Sequence, residues 1–181
     1  MKALRPGALI LALAAASPGM GETGMSHLGG PDSNWEFISD QVMGGVSTGR
    51  ALREGKGEDR VLRLQGRVST ENNGGFIQAR LDLPQALPKN AEGIVLEVRG
   101  NAQTYYVHAR TTGTLLPWNF YQASYEVSRD WQELRIPFSD FEAQGRLLRK
   151  SLAPERIRSL AVVAYGRDHD ADLSLRSLGY Y

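Results

Sequence analysis

A serine lies at the centre of the pattern G-x-S-x-G, which runs from Gly45 to Gly49. In one class of hydrolases this pattern forms the nucleophile elbow, where a strand precedes the serine, a helix follows it, and the strained turn exposes the hydroxyl. The residues after Ser47 show no apolar periodicity, so no helix is predicted there. His108 or His169 would have to act as the base from a distant position. The pattern therefore favours a turn, and neither a catalytic residue nor an enzyme is predicted.

Alternating acids occur near the C-terminus, at Asp168, Asp170 and Asp172. Oxygen ligands with this spacing are typical of calcium loops, but an EF-hand would need glycine in place of Leu173 and glutamate in place of Gly179. The segment favours a solvated hairpin loop, and the three aspartates are kept as candidates for a bound cation. No dinucleotide fingerprint, phosphate loop or zinc-ligand pair occurs, so no metal or other cofactor is predicted.

Aromatic residues are concentrated between positions 105 and 125. Aromatic side chains on a sheet face stack on sugar rings or fill a groove in a partner. Alternation along a strand would place Tyr106, His108 and Arg110 on one face, where Arg110 would bind a carboxylate or phosphate. The alternative is that tyrosines such as Tyr105 and Tyr125 fill the core. The predicted binding face consists of Tyr106, His108, Arg110, Trp118 and Tyr121.

Short strands must position these residues, because apolar and polar side chains alternate along most of the chain. Strands are predicted at positions 61–68, 76–83, 94–98, 105–112, 121–127, 134–138, 160–165 and 173–180. Helical signals are short and occur only near Ser139 and Pro154. This pattern predicts an all-β sandwich or jelly roll with one or two short helical turns.

The composition is that of a single globular domain, with 181 residues, 41% hydrophobic and 23% charged. A formal net charge of +1 gives no concentrated basic face, so nucleic acid is not a predicted partner. The chain has no cysteine, which excludes disulfides, a thiol nucleophile and a thiolate metal site. The fold must therefore be stabilised by its core alone.

The first 21 residues have the pattern of a secretory signal, with Lys2 and Arg5 before an apolar run from Ala8 to Ala16. This run is far shorter than the roughly 20 residues of a membrane span. Cleavage is expected after Ala16 or near Gly21, which predicts a periplasmic protein; an uncleaved segment would leave it cytoplasmic or membrane-associated. Residues 22–33 are polar and glycine-rich and are predicted to be a linker, and residues 34–181 form the single domain.

Two glycine-rich blocks occur in an order that resembles the complex I intermediate-associated protein 30 family. The first runs from Asp40 to Ser47 after a tryptophan, and the second from Glu71 to Phe76. The resemblance extends over about residues 34–180. The motif positions are Trp35, Asp40, Met43, Gly44, Gly45, Ser47, Asn72, Asn73, Gly74, Gly75 and Phe76.

The resemblance implies a galactose-binding-like jelly roll and a non-catalytic role, as in assembly chaperones for respiratory NADH dehydrogenase. It supplies no catalytic residues. An exported protein would lie on the opposite side of a bacterial membrane from the hydrophilic arm of that complex, so either residues 1–21 are not an export signal or the domain serves another partner. The leading hypothesis is a protein-binding or assembly module. The alternative is a carbohydrate- or small-ligand-binding jelly roll of the envelope.

Overall fold

A computed structural model describes residues 25–181 and shows two antiparallel sheets packed face to face. The predicted signal segment lies outside these residues. The strands are β1 Ser26–Gly29, β2 Trp35–Ser39, β3 Thr48–Glu54, β4 Val61–Val68, β5 Phe76–Asp82, β6 Gly93–Gly100, β7 Thr104–Thr111, β8 Phe120–Glu126, β9 Gln132–Pro137, β10 Glu142–Gln144, β11 Ile157–Tyr165 and β12 His169–Tyr180. This architecture confirms the predicted all-β sandwich.

The first sheet has the order β3-β4-β12-β6-β9, with β1 paired to β12. The second has the order β10-β8-β7-β11-β5-β2. Helical structure within residues 25–181 is limited to 3-10 turns at Asp40–Met43, Gly57–Asp59, Glu71–Asn73, Phe138–Asp140 and Pro154–Arg156. Two of these turns match the short helical signals near Ser139 and Pro154. No helix among the described residues has the length and apolar character needed to cross a bilayer.

The core lies between the sheets and follows from the two-residue period of each strand. In β11, Leu160, Val162 and Ala164 face the first sheet and belong to the core, whereas Ser159 and Ala161 lie on the other side. This strand is central because it pairs with β7 on one side and β5 on the other. Its outer side chains therefore lie in the middle of the second sheet's outer face.

Several segments differ from the sequence-based prediction. β2 and β10 were not predicted as strands, and Asp170 and Asp172 lie in β12 where a hairpin loop was expected. The predicted linker, residues 22–33, contains β1, which pairs with β12 and places Leu28 against the core. β1 pairs mainly through its backbone, so its polar, glycine-rich sequence shows no alternation. The segment after Ser47 forms β3 where no element was predicted, because an edge strand exposed along most of its length needs few apolar residues.

Candidate functional site

The two glycine-rich blocks are joined by one buried carboxylate, that of Asp40. Its Oδ1 accepts the backbone N–H of Ser47 at 2.9 Å, and its Oδ2 accepts the N–H groups of Gly75 at 2.6 Å and Phe76 at 3.3 Å. The Ser47 hydroxyl also donates to this carboxylate and accepts the Ser69 N–H at 2.9 Å. The blocks therefore form a single structural unit at one end of the sandwich, although 35 residues separate Asp40 from Gly75.

Glycine is required where the backbone approaches this carboxylate. A Cβ at Gly45 or Gly74 would lie closer to the Asp40 side chain than van der Waals contact allows. Gly44 and Gly75 instead have positive φ angles of 89° and 126°, which L-residues rarely adopt. Each G-G pair thus contains one glycine that makes room for the carboxylate and one that turns the chain.

The environment of Asp40 keeps it ionised. Burial alone would raise the pKa of this carboxyl, but the hydrogen bonds from Gly75, Ser47 and Phe76 outweigh burial and lower the pKa below its ordinary value. Ser47 is completely buried, and the strand β3 follows it instead of a helix. Its hydroxyl is structural and does not have the exposure of an elbow nucleophile.

A groove of about 1050 Å³ crosses the outer face of the second sheet. We call it the sheet-2 groove. Its base is formed by small side chains of β11, while longer side chains of β5 and β7 form its two walls. The residues that line it include Glu36, Gln78, Arg80, His108, Arg110, Phe120, Ser159, Ala161 and Tyr165.

Three rings form an aromatic cluster at the β7 side of the groove. His108 stacks on Phe120 with centroids 4.0 Å apart, and Tyr165 contacts both rings edge-on at 5.3 and 6.2 Å. Gln122 hydrogen-bonds His108 Nε2 at 2.9 Å. Burial lowers the pKa of His108 to about 4, despite the opposing effect of Gln122. His108 is therefore uncharged at neutral pH, and its ring is buried against Phe120 with only 7% of the residue exposed.

Apolar side chains project at the mouth of the groove. Val42 and Met43, from the 3-10 turn that begins the first motif, are 72% and 53% exposed, and Trp118 is 62% exposed. All three line the groove. Large exposed apolar groups that surround a concavity are typical of binding sites.

Two arginines on opposite walls give the groove its charge. Arg80 forms ion pairs with Glu36 at 2.5 Å and Asp82 at 3.5 Å. Arg110 donates to the carbonyls of Leu116 at 3.2 Å and Pro117 at 3.1 Å, and makes no salt bridge to any acid among residues 25–181. Burial, and secondarily Arg80, lowers the pKa of Arg110. Its guanidinium remains the uncompensated cation of the groove.

The structure places Tyr106, His108 and Arg110 on the outer face of β7, as alternation predicts, with Trp118 at the groove mouth. Tyr121 was wrongly assigned to this face: it is buried in the core, and its hydroxyl donates to the Arg149 carbonyl at 3.0 Å. The sequence analysis missed several groove residues because strand order brings them together. They are Val42, Gln78, Arg80, Phe120 and Tyr165.

The three candidate cation ligands do not converge. Asp172 binds Arg63 through two hydrogen bonds of 2.7 Å, and Asp168 accepts the backbone N–H and hydroxyl of Thr70 at 2.7 and 2.8 Å. Asp170 is exposed. Among the described residues, no three acidic or histidine side chains are grouped as a metal site would require.

The fold defines a class, the antiparallel two-sheet β-sandwich, which it shares with solved carbohydrate-binding modules. It is similar to the family 11 module of a cellulosomal cellulase of Clostridium thermocellum, with a TM-score of 0.68 and 16% identity over 87% of this chain and 94% of that chain. The same family's module in complex with a β-1,3-1,4-mixed-linked tetrasaccharide has a TM-score of 0.62 and 15% identity over 81% and 88%. A family 30 module has a TM-score of 0.55 and 13% identity over 74% and 83%.

The family follows from a direct match to the sequence. The model for complex I intermediate-associated protein 30 matches residues 27–176. The chain therefore belongs to the complex I intermediate-associated protein 30 family, which confirms the resemblance carried by the two glycine-rich blocks. Comparison with curated proteins gives no significant match.

Proposed function

We propose that this domain is a non-catalytic binding module that holds a segment of a partner protein in the sheet-2 groove. The observation that carries the proposal is the exposure of Val42, Met43 and Trp118 at the groove mouth. Val42 and Met43 belong to the first motif of the family, and flexible methionine side chains suit protein surfaces that adapt to a partner. Family membership supports an assembly intermediate of respiratory NADH dehydrogenase as that partner.

Affinity capture from solubilised membranes tests this function. The wild-type domain should enrich subunits of NADH dehydrogenase, and the double variant Val42→Ser/Met43→Ser should lose them. Leu52→Ser is the matched control, because Leu52 is also exposed (37%) but lies on β3 of the other sheet. Normal assembly of NADH dehydrogenase in a strain without this gene, together with no enrichment, would rule the assembly function out.

The location of the mature protein bears on the same proposal. We propose export to the periplasm, because residues 1–21 have the basic, apolar and small-residue order of a secretory signal. N-terminal sequencing of the protein from a periplasmic fraction tests this. A mature chain that begins between Ser17 and Glu22 supports export, whereas a cytoplasmic chain that retains Lys2 and Arg5 contradicts it. In the periplasm, the partner would be a periplasmic segment of the complex or another envelope protein.

Binding of a glycan is the second candidate, and the aromatic cluster of the groove favours it. Phe120 and Tyr165 are half-buried rings backed by the buried ring of His108, and the amides of Gln78 and Gln122 lie on the same face of the sheet. Rings combined with amides are the groups that recognise the apolar faces and hydroxyls of sugars. A module of similar fold has been solved with a mixed-linked tetrasaccharide.

Calorimetric titration with that tetrasaccharide separates the two candidates. Saturable binding that is lost in Trp118→Ala would support the glycan function and locate it in the groove. Membrane capture that depends on Val42 and Met43, with no heat of binding from the tetrasaccharide, would support the protein-binding function instead.

A further inference from the structure

We propose that Arg110 anchors a carboxylate, so that the segment held in the sheet-2 groove carries an aspartate or glutamate next to a large apolar side chain. This inference rests on the proposed function and adds the chemistry of the partner segment.

The shape of the groove suits an extended chain. Ser159 and Ala161 are small and lie on the outer face of β11, and Arg80 and His108 flank Ala161 from the neighbouring strands. Adjacent strands are about 4.8 Å apart, so these walls are separated by roughly 10 Å. A trough of that width accommodates one extended backbone with its side chains directed to both walls.

The charge distribution selects an acidic group. Glu36 is the one acid among the side chains that line the groove, and it is already paired with Arg80. Arg110 uses two N–H groups on the carbonyls of Leu116 and Pro117, which leaves three of the five donors of a guanidinium. Carbonyl oxygens do not neutralise the positive charge. A carboxylate in the groove would meet both the free donors and the uncompensated charge.

The same arginine positions the apolar part of the site. The two carbonyls that Arg110 holds belong to the residues immediately before Trp118, whose ring is exposed at the mouth. A ligand carboxylate at Arg110 would therefore lie near an aromatic surface. This adjacency favours an acidic residue that is followed or preceded by a large apolar one.

A pocket of about 340 Å³ on the first sheet provides a contrast within the same chain. Its Arg63 also has a planar guanidinium, but Asp172 occupies it with two hydrogen bonds of 2.7 Å and Glu54 adds a contact at 3.2 Å. The hydrogen bond to Asp172 is the main cause of the raised pKa of Arg63. Arg63 is thus satisfied by acids of its own sheet, as Arg110 is not.

Two dipeptides that differ only in charge test the inference: acetyl-Glu-Phe-amide and acetyl-Gln-Phe-amide. Each is titrated to about 10 mM against the domain, and binding is followed by NMR through the Trp118 indole N–H and the Gln78 amide. The glutamate peptide should bind roughly fivefold more tightly at low salt, because a charge-assisted hydrogen bond replaces a neutral one. The ratio should fall as the salt concentration rises.

Arg110→Gln should reduce that ratio to about one, and Arg110→Lys should keep part of it, because lysine retains the charge without the fork of donors. The lysine variant also reports whether loss of the carbonyl contacts alone disturbs the Trp118 loop. Arg50→Gln is the matched control, since Arg50 lies on β3 of the first sheet, and it should leave the ratio unchanged.

Three outcomes would overturn the inference. Equal affinity of the two peptides, with shifts at Trp118 and Gln78, would remove the carboxylate anchor and leave the protein-binding function intact. Failure of both peptides to shift the Trp118 and Gln78 signals would overturn the carboxylate anchor. The proposed protein-binding function would be overturned as well only if membrane capture did not depend on Val42 and Met43. Selective binding of glucuronate over glucose, without binding of either peptide, would replace the protein segment with an acidic glycan.

Discussion

The backbone N–H of Gly75 donates a 2.6 Å hydrogen bond to the buried carboxylate of Asp40 and so joins the two sequence blocks that identify the family. This bond holds the turn that carries Val42 and Met43 against the start of β5, where Phe76 and Gln78 enter the groove wall. The motif residues are therefore mainly structural. Asp40, Ser47 and the paired glycines position the turn on which Val42 and Met43 are exposed.

Asp40→Asn should destabilise the domain by about 3 kcal/mol. The carboxylate accepts four hydrogen bonds. In the variant, the amide NH₂ group must face the N–H of either Ser47 or Gly75, so two buried donors point at each other and neither has an acceptor. Urea unfolding followed by tryptophan fluorescence measures this loss. Asp170→Asn, at an exposed position, is the control and should change stability by less than about 0.5 kcal/mol. Equal stability of the two variants would show that the Asp40 network is unimportant.

Gly74→Ala should cost about 2–3 kcal/mol, because its methyl group would overlap the Asp40 carboxylate. Gly113→Ala is a matched control, since its nearest atom would be 3.7 Å away. Both changes restrict the unfolded chain similarly, so the difference between the two variants isolates the contact in the folded state. Thermal unfolding should show a clearly lower Tm for Gly74→Ala only. A stable Gly74→Ala would mean that the carboxylate has room to move.

Calcium should not stabilise the domain. Both Asp172 oxygens accept hydrogen bonds from Arg63, and Asp168 accepts two from Thr70 through Oδ1. Among the described residues, no three acidic or histidine side chains are grouped as a cation would need. Adding about 5 mM calcium, which would saturate a site of ordinary extracellular affinity, should leave the Tm unchanged. A rise in Tm that Asp168→Asn abolishes would contradict this and restore the acidic loop as a cation site.

The sequence predicts the strands well where alternation is strong, as in Val61–Val68, and it also indicates that Tyr106, His108 and Arg110 share a face. It does not predict the groove, because the relevant neighbours depend on strand order. Arg80 lies across β11 from His108, although 28 residues separate the two along the chain. Tyr121 could have been assigned correctly, since alternation places it on the same side as Tyr125, which was already a candidate for the core.

Because of His108, the free energy of unfolding of the domain should increase as the pH rises from about 4 to 6.5. Its folded pKa is lowered to about 4 by burial, whereas an unfolded histidine titrates near 6.5, so the unfolded state binds more protons in this window. The contribution is complete above the unfolded pKa and is lost as the pH falls towards the folded one. It amounts to about 3 kcal/mol over the whole window.

His108→Phe should remove this slope, because phenylalanine can stack on Phe120 and does not titrate. Urea unfolding at pH 4.5 and pH 7 should therefore show a smaller stability difference for the variant than for the wild type, by about 2–3 kcal/mol. Burial also lowers the pKa of His169, so a residual slope of the same sign is expected in both proteins. An identical pH dependence in the two would show that His108 is protonated as readily in the folded domain as in the unfolded chain, and its ring would then carry charge into the groove under mildly acidic conditions.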